Sequence, residues 1–232
     1  MINYTPYMYP GIKILFDNGH DEYEFGKCSP DAALGKTDSP YWYKEWMFTR
    51  KVARGCCDVM QAQGYNAELL VPEDTPVSLA ERVYRVNRWC ELLGKDNVLL
   101  ISVHSNAAGG KDTAWKTARG WAIFTTTGIT QSDYLAEEIH AVARTEFKPP
   151  LKVRSKDNKF LGRDIEKDFY IIRKSYCPAV LTENFFHDNK EDVLYLKSDE
   201  GYGSIVYVLT EGVINYIKKY KSNETKRRSG VN

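Results

Sequence analysis

The feature that most constrains this chain is one apolar run and the way it ends. Val98-Leu99-Leu100-Ile101-Ser102-Val103 is nearly continuous and then stops at His104-Ser105-Asn106, with Ala107, Ala108, Gly109 and Gly110 behind it. Strands covered on both faces lose the apolar/polar alternation of a half-exposed strand and read as short runs of Val, Ile and Leu. The run therefore predicts a buried parallel strand in an α/β sheet. In such sheets the loops just past the strand C-termini hold the site, which puts His104 where a functional group belongs. Ile12-Lys13-Ile14-Leu15-Phe16 followed by Asp17-Asn18-Gly19-His20 repeats the pattern, in a chain with only four histidines. Two strand-end imidazoles are a natural start for a zinc site, the alternative being that each only hydrogen-bonds within its loop.

The segments between these strands read as helices. After a polar, Gly- and Pro-containing loop from His20 to about Pro40, a helix begins near Tyr41-Trp42-Tyr43-Lys44-Glu45. Its apolar stripe is Phe48, Val52, Cys56, Val59 and Met60, and Gly64 stops it. Glu45 lies on that stripe, so its carboxylate projects toward the sheet and needs a partner there. Two readings stand: a charge at the helix N-terminus, or a third metal ligand. Ala67–Val71 is a short strand. Ser78-Leu79-Ala80-Glu81 is a capping box opening a helix with Leu79, Val83, Val86, Cys90 and Leu93 on one face. A further strand spans Gly120–Thr126, and a helix capped by Thr130 or Ser132 carries Leu135, Ile139 and Val142. His140 lies beside that face and reads as a structural or surface histidine. Pro178-Ala179-Val180-Leu181 is an apolar strand that ends in Thr182-Glu183-Asn184. A buried glutamate near zinc-binding imidazoles is the usual general base of metal-assisted hydrolysis. A short helix after Asn189 and a last one carrying Tyr202, Ile205, Val206, Leu209, Val213 and Ile217 complete the pattern. It predicts an α/β fold: a single three-layer domain with a mostly parallel twisted sheet and helices on both faces.

Length and charge narrow the function. The 232 residues suit one α/β domain, and a net charge of +1 with both signs spread along the chain leaves no footprint for nucleic acid. No run is long enough to span a bilayer, and Met1–Tyr7 has neither a basic n-region nor an apolar h-region, so the expectation is a chain cytoplasmic as made. Five cysteines without a C-x-x-C predict free thiols, not a disulfide framework. Residues 221–232, with Lys226-Arg227-Arg228, read as a basic disordered tail.

In order along the chain, these segments resemble the zinc-dependent N-acetylmuramoyl-L-alanine amidases of the amidase-3 class, over about residues 11–220. The family's Asp-Pro-Gly-His appears as Asp17-Asn18-Gly19-His20, its helix-opening glutamate as Glu45, and its Ser-Leu-x-x-Arg and Asn helix as Ser78, Leu79, Arg82 and Asn87. Its Ser-x-His-x-Asn-Ala is Ser102 to Ala107, and its Pro-Ala-Val-Leu-x-Glu is Pro178 to Glu183. The resemblance implies that His20, Glu45 and His104 hold one zinc ion, that Glu183 is the catalytic carboxylate, and that Arg173 orients Glu183 or the substrate, a plain ion pair being the alternative for Arg173. Asn18 stands in place of the family proline and Asp21 in place of a glycine. After the glutamate, Asn184-Phe185-Phe186-His187 replaces a Thr/Ser-Gly-Phe-x sequence, which makes His187 a candidate contact to substrate or ligand.

The implied substrate is peptidoglycan, cut between N-acetylmuramic acid and L-alanine. Three protein ligands leave zinc an open fourth position, as a hydrolytic site requires. The missing export signal favours a phage or prophage lysis enzyme that reaches the wall after release. Two rivals stand beside this reading: another zinc amidohydrolase or exopeptidase on a similar sheet, and a catalytically inactive wall-binding module using the abundant Tyr and Trp as sugar platforms.

Overall fold

Alternating strands and helices build a six-stranded sheet from β1 (Lys13–Asn18), β2 (Asn66–Leu69), β3 (Val98–Asn106), β4 (Ala122–Thr125), β5 (Ile165–Glu166) and β6 (Ala179–Phe186). The order is β2-β1-β3-β6-β4-β5. The computed structural model describes residues 11–109, 113–156 and 163–221. The strands from β2 to β6 pair in parallel, while β4 runs antiparallel to β6 and carries β5 parallel to itself. The sheet is therefore mostly parallel, with its reversal on the β4 side.

Strand β3 shows why its sequence is continuous. Leu99, Ile101 and Val103 pack into one apolar cluster with α2 (Glu45–Ala62), α4 (Gln131–Glu146) and α7 (Asp199–Tyr216). Val98 and Leu100 pack into a second, with α3 (Leu79–Leu93) and the short α5 (Tyr170–Lys174). Both faces are dry, so both alternating sets must be apolar. Three layers follow, as the sequence pattern predicts.

The caps explain where the helices start. Ser78 Oγ accepts from the Glu81 N–H, but the Glu81 carboxylate turns to Arg85 at 3.0 Å, so only half of the expected capping box forms. Thr130, not Ser132, caps α4, and there Asp133 completes the reciprocal pair. Asn189 caps α6 (Lys190–Lys197). Within the long loop after β1, Ser29 caps a four-residue helix, α1 (Pro30–Ala33), that periodicity is too short to reveal.

Two residues expected on apolar faces are in fact turned to solvent. Val59 is 37% and Leu79 54% exposed, because each sits at the edge of its helical stripe, where an i, i+3/i+4 pattern is indifferent to a small rotation. His140 is buried, its ring 6.0 Å from that of Trp121, which fits a structural role. All five cysteines are free and four of them are buried. No helix among the described residues is long and apolar enough to cross a membrane. The first ten residues and the basic stretch Lys226-Arg227-Arg228 lie outside the described residues, and chain that is described ends in a π-helical turn at Ile217–Lys221.

Candidate metal centre and active site

The site is assembled where β1, β3 and β6 end. Asp17 is buried near the end of β1, where Arg82 of α3 reaches its Oδ1 at 2.6 Å and also donates to the Asn18 carbonyl at 2.6 Å. Ser102 donates to the other Asp17 oxygen at 2.6 Å. These bonds fix the end of β1 against both β3 and α3. The Gly19 N–H then donates to the Val103 carbonyl at 3.0 Å. A Cβ at Gly19 would stand inside the imidazole of His104, so the position admits no side chain. His20 follows in a left-handed backbone conformation, φ 64°, a local strain of the kind that structures hold at functional positions.

The imidazoles of His20 and His104 meet edge to face, with centroids 4.8 Å apart. Glu24 lies 2.5 Å from His20 Nδ1, which assigns the ring proton to that nitrogen and leaves Nε2 free as a lone-pair donor. Nε2 points at Glu45 Oε1, 3.5 Å away, and His104 Nδ1 lies 3.3 Å from the same oxygen. Glu45 is the first residue of α2 and makes no cap. Instead its Oε1 accepts the Ser105 N–H of β3 at 2.9 Å, while Oε2 is sealed from solvent without a hydrogen-bond partner. One turn on, Thr49 donates to the Gly19 carbonyl at 2.7 Å and ties the helix to the β1 turn.

The ligand atoms of His20, Glu45 and His104 all lie within 4.8 Å of one another. Two imidazole nitrogens and a carboxylate with an orphaned oxygen are a donor set suited to a divalent cation. The electrostatics agree. Burial pushes the Glu45 carboxyl up, yet the imidazoles of His104 and His20 outweigh it and hold the group at about 2. Burial likewise pushes His104 down, but the Glu45 carboxylate lifts it above its ordinary value, and His20 ends below its own because burial wins there. An ionised carboxylate between two rings is ready to receive a cation.

Glu183 stands apart from this cluster. It is the register partner of His104 across β3 and β6, and its Oε2 is sealed with no hydrogen-bond partner. Burial raises its carboxyl to about 7, against the pull of His104. The strand end is locked by Asn184, which donates to the His104 carbonyl at 2.9 Å and accepts from Trp121 Nε1 at 2.8 Å. His187 is buried, with Nδ1 3.2 Å from Ser105 Oγ and 3.7 Å from Glu45 Oε2. Tyr43 donates to the same Ser105 hydroxyl at 3.0 Å. Neither Tyr43 nor Ser105 has a signal in the sequence, since a hydroxyl between two rings exists only once β3 and the α2 approach are packed.

Arg173 is not brought to this cluster, which corrects the expectation that it orients Glu183 or the substrate. It lies on α5, ahead of β6, beside the Tyr170 ring at 5.9 Å and in a depression shared with Lys95 and Asp96. Those residues precede β3, so the depression is at the N-terminal edge of the parallel strands, whereas His104 and Glu183 are at the C-terminal ends of theirs.

The family profile described as N-acetylmuramoyl-L-alanine amidase (Amidase_3) matches residues 14–215. The chain belongs to this family. It is 29% identical over 189 residues to N-acetylmuramoyl-L-alanine amidase CwlM of Bacillus licheniformis, covering 81% of this chain and 61% of that relative. It is 26% identical over 212 residues to the endolysin of Bacillus phage SPP1, covering 90% and 68%. The chain thus spans about three fifths to two thirds of the length of these relatives. The solved N-acetylmuramoyl-L-alanine amidase from Clostridium difficile 630 superposes with a TM-score of 0.69 at 18% identity, over 90% of this chain and 98% of that one. At that identity the likeness is one of fold, and it agrees with the layers above. The amidase-3 pattern also explains Phe185. This residue stands where the family motif has glycine and keeps a positive φ of 62°. Its ring is buried against Phe147 and Tyr195, with centroids 5.1 and 5.0 Å away. Core burial here offsets the cost of the left-handed backbone, about 1–3 kcal/mol.

Proposed function

We propose that this chain hydrolyses the amide bond between N-acetylmuramic acid and the L-alanine of the peptidoglycan stem, with zinc held by His20, Glu45 and His104. The observation that carries the reading is the division of the carboxylates. Glu45 is ionised between two imidazoles, and Glu183 sits opposite His104 with one oxygen sealed without a hydrogen-bond partner and its carboxyl pushed up by burial to about 7. A carboxyl poised near neutrality is suited to general acid–base work. With zinc bound, the site gains a Lewis acid for the scissile carbonyl and a means of lowering the pKa of water toward ~7. Glu183 accepts the proton of the attacking water and returns it to the L-alanine nitrogen as the amide breaks. Glu45 keeps its charge throughout, because Ser105 and the two rings stabilise the ionised form. Asp17, Arg82 and Ser102 hold the β1 end so that His20 and His104 keep their separation. The exposed rings of Tyr23 and Phe25, on the wall of the adjacent cavity, are suited to the apolar faces of sugar rings.

Mass spectrometry of digested peptidoglycan tests the proposal. The expected products are glycan with an intact lactyl carboxylate and stem peptides with a new L-alanine amino terminus. Cleavage at a peptide bond within the stem would favour an exopeptidase instead, and no cleavage by the metal-loaded protein would overturn the reading.

A further inference from the structure

A cavity of about 300 Å³ opens beside the metal cluster, walled by the chain after His20, by α1 and by the segment after β3. Among the described residues, two cations line it, Lys27 and Lys44. The ammonium of Lys44 lies over the Trp42 ring at 5.8 Å. Lys27 is half-buried, and no carboxylate among the described residues pairs with it. The acidic residues that share this cavity, Glu22, Glu24 and Asp188, form no ion pair with Lys27. Glu24 is bound to His20, and Asp188 Oδ2 accepts the N–H groups of Ala108 and Gly109, both at 2.8 Å, while its Oδ1 is buried without a hydrogen-bond partner. Yet the charge of Lys27 is felt at Glu183, His20 and His187, so it stands within electrostatic reach of the reacting atoms.

A half-buried ammonium with no counter-ion is costly, and a ligand that brings the anion removes the cost. In the peptidoglycan stem the first carboxylate beyond the scissile amide belongs to the second residue, a D-glutamate joined through its γ-carboxyl. Its α-carboxylate is five bonds from the scissile nitrogen, and the cavity adjoins the cluster, its wall including Glu24, which is bound to His20, and His187, which lies beside Glu45. Some walls carry this group as the amide, which removes the charge and leaves the shape nearly unchanged.

We propose that Lys27 binds the α-carboxylate of the second stem residue, so that the enzyme selects stems with the free acid over stems amidated there. This rests on the amidase reading above and names the part of the substrate that the cavity recognises. The preference lies in binding, because Lys27 touches a group that does not change during the reaction.

The test uses two soluble muramoyl peptides that differ only in D-glutamate or D-isoglutamine at the second position. The zinc-loaded protein is expected to favour the acid by about tenfold or more in kcat/KM, mainly through KM, as one charge-assisted hydrogen bond provides. Lys27→Gln should bring the ratio to about one by losing activity on the acid, and Lys27→Arg should keep much of it. Melting and metal content of the variants check that the fold is kept, and the ratio for the parent protein stands whatever they do. Equal kcat/KM for the two peptides in the parent protein would overturn the proposal. So would an equal fall in kcat on both in Lys27→Gln, since Lys27 would then act on Glu183 alone. Cleavage of neither peptide would bring down the amidase reading itself.

Discussion

His104 and Glu183 occupy matched positions in the parallel register of β3 and β6. Neighbours in register on parallel strands project to the same side of the sheet, so the ring and the carboxylate serve one volume of space. A slip of one residue would send Glu183 to the opposite face and leave Thr182 or Asn184 beside the ring. The Asn184 bonds to the His104 carbonyl and to Trp121 guard against that slip.

The two carboxylates should separate cleanly under mutation. Glu183→Gln is expected to keep the fold and the metal yet lose hydrolysis by ~10²–10⁴-fold, the usual contribution of a general acid–base group. Glu45→Gln should weaken metal binding and regain part of its activity in excess zinc. Elemental analysis alongside peptidoglycan digestion decides the matter. Metal loss in the first variant with retention in the second would mean that the roles are exchanged.

Gly19→Ala addresses the metal site without touching a ligand. A methyl there meets the His104 ring, which must move away from Glu45 and His20. Metal affinity should fall by about 10–100-fold, the range seen when groups that orient ligands are altered. Competition with a chelator measures it, and an affinity unchanged from the parent protein would show that the ring is not confined as described.

Removing Arg82 should be costly to stability. The side chain is buried against Asp17 at 2.6 Å, so Arg82→Met leaves an unpaired carboxylate in the interior. Loss of one partner of such a pair costs about 3–5 kcal/mol. Adding Asp17→Asn should recover part of this, because the stranded charge is gone. Urea unfolding of both variants provides the comparison, and a single variant within about 1 kcal/mol of the parent protein would contradict the burial argument.

His140 makes a prediction for pH. Burial first, then the charge of Arg163, lower its pKa from 6.5 to about 4. As pH falls below 6.5 the unfolded chain takes up the proton before the folded one, so the unfolded state gains. Stability supported by a neutral His140 is complete above about 6.5 and drains away down to about 4, by at most about 3 kcal/mol. Unfolding free energies of the parent protein and of His140→Gln, measured across this window, should show a shallower slope in the variant. Identical slopes would mean that His140 titrates normally.

Much of this architecture was legible because it rests on periodic or local signals. Continuous Val/Leu/Ile runs mark strands buried on both faces, Ser78, Thr130 and Asn189 mark helix starts, and His104 and Glu183 close their runs as strand-end groups do. Glu45 could be placed on an inward stripe, since 3.6 residues per turn decide direction without tertiary information. What the tertiary structure alone decided are relations between distant segments. The Arg82 bonds to Asp17 and Asn18, the Ser105 hydroxyl between Tyr43 and His187, and the pairing of Glu24 with His20 all depend on how strands are ordered and loops fold back. Arg173 illustrates the limit. Its match to a family arginine implied a place beside Glu183, but Arg173 precedes β6 while Glu183 lies in the C-terminal half of that strand, and a strand carries its two ends to opposite edges of the sheet. Sequence fixes which groups are present and which way each faces locally; only the sheet order and register determine which of them meet.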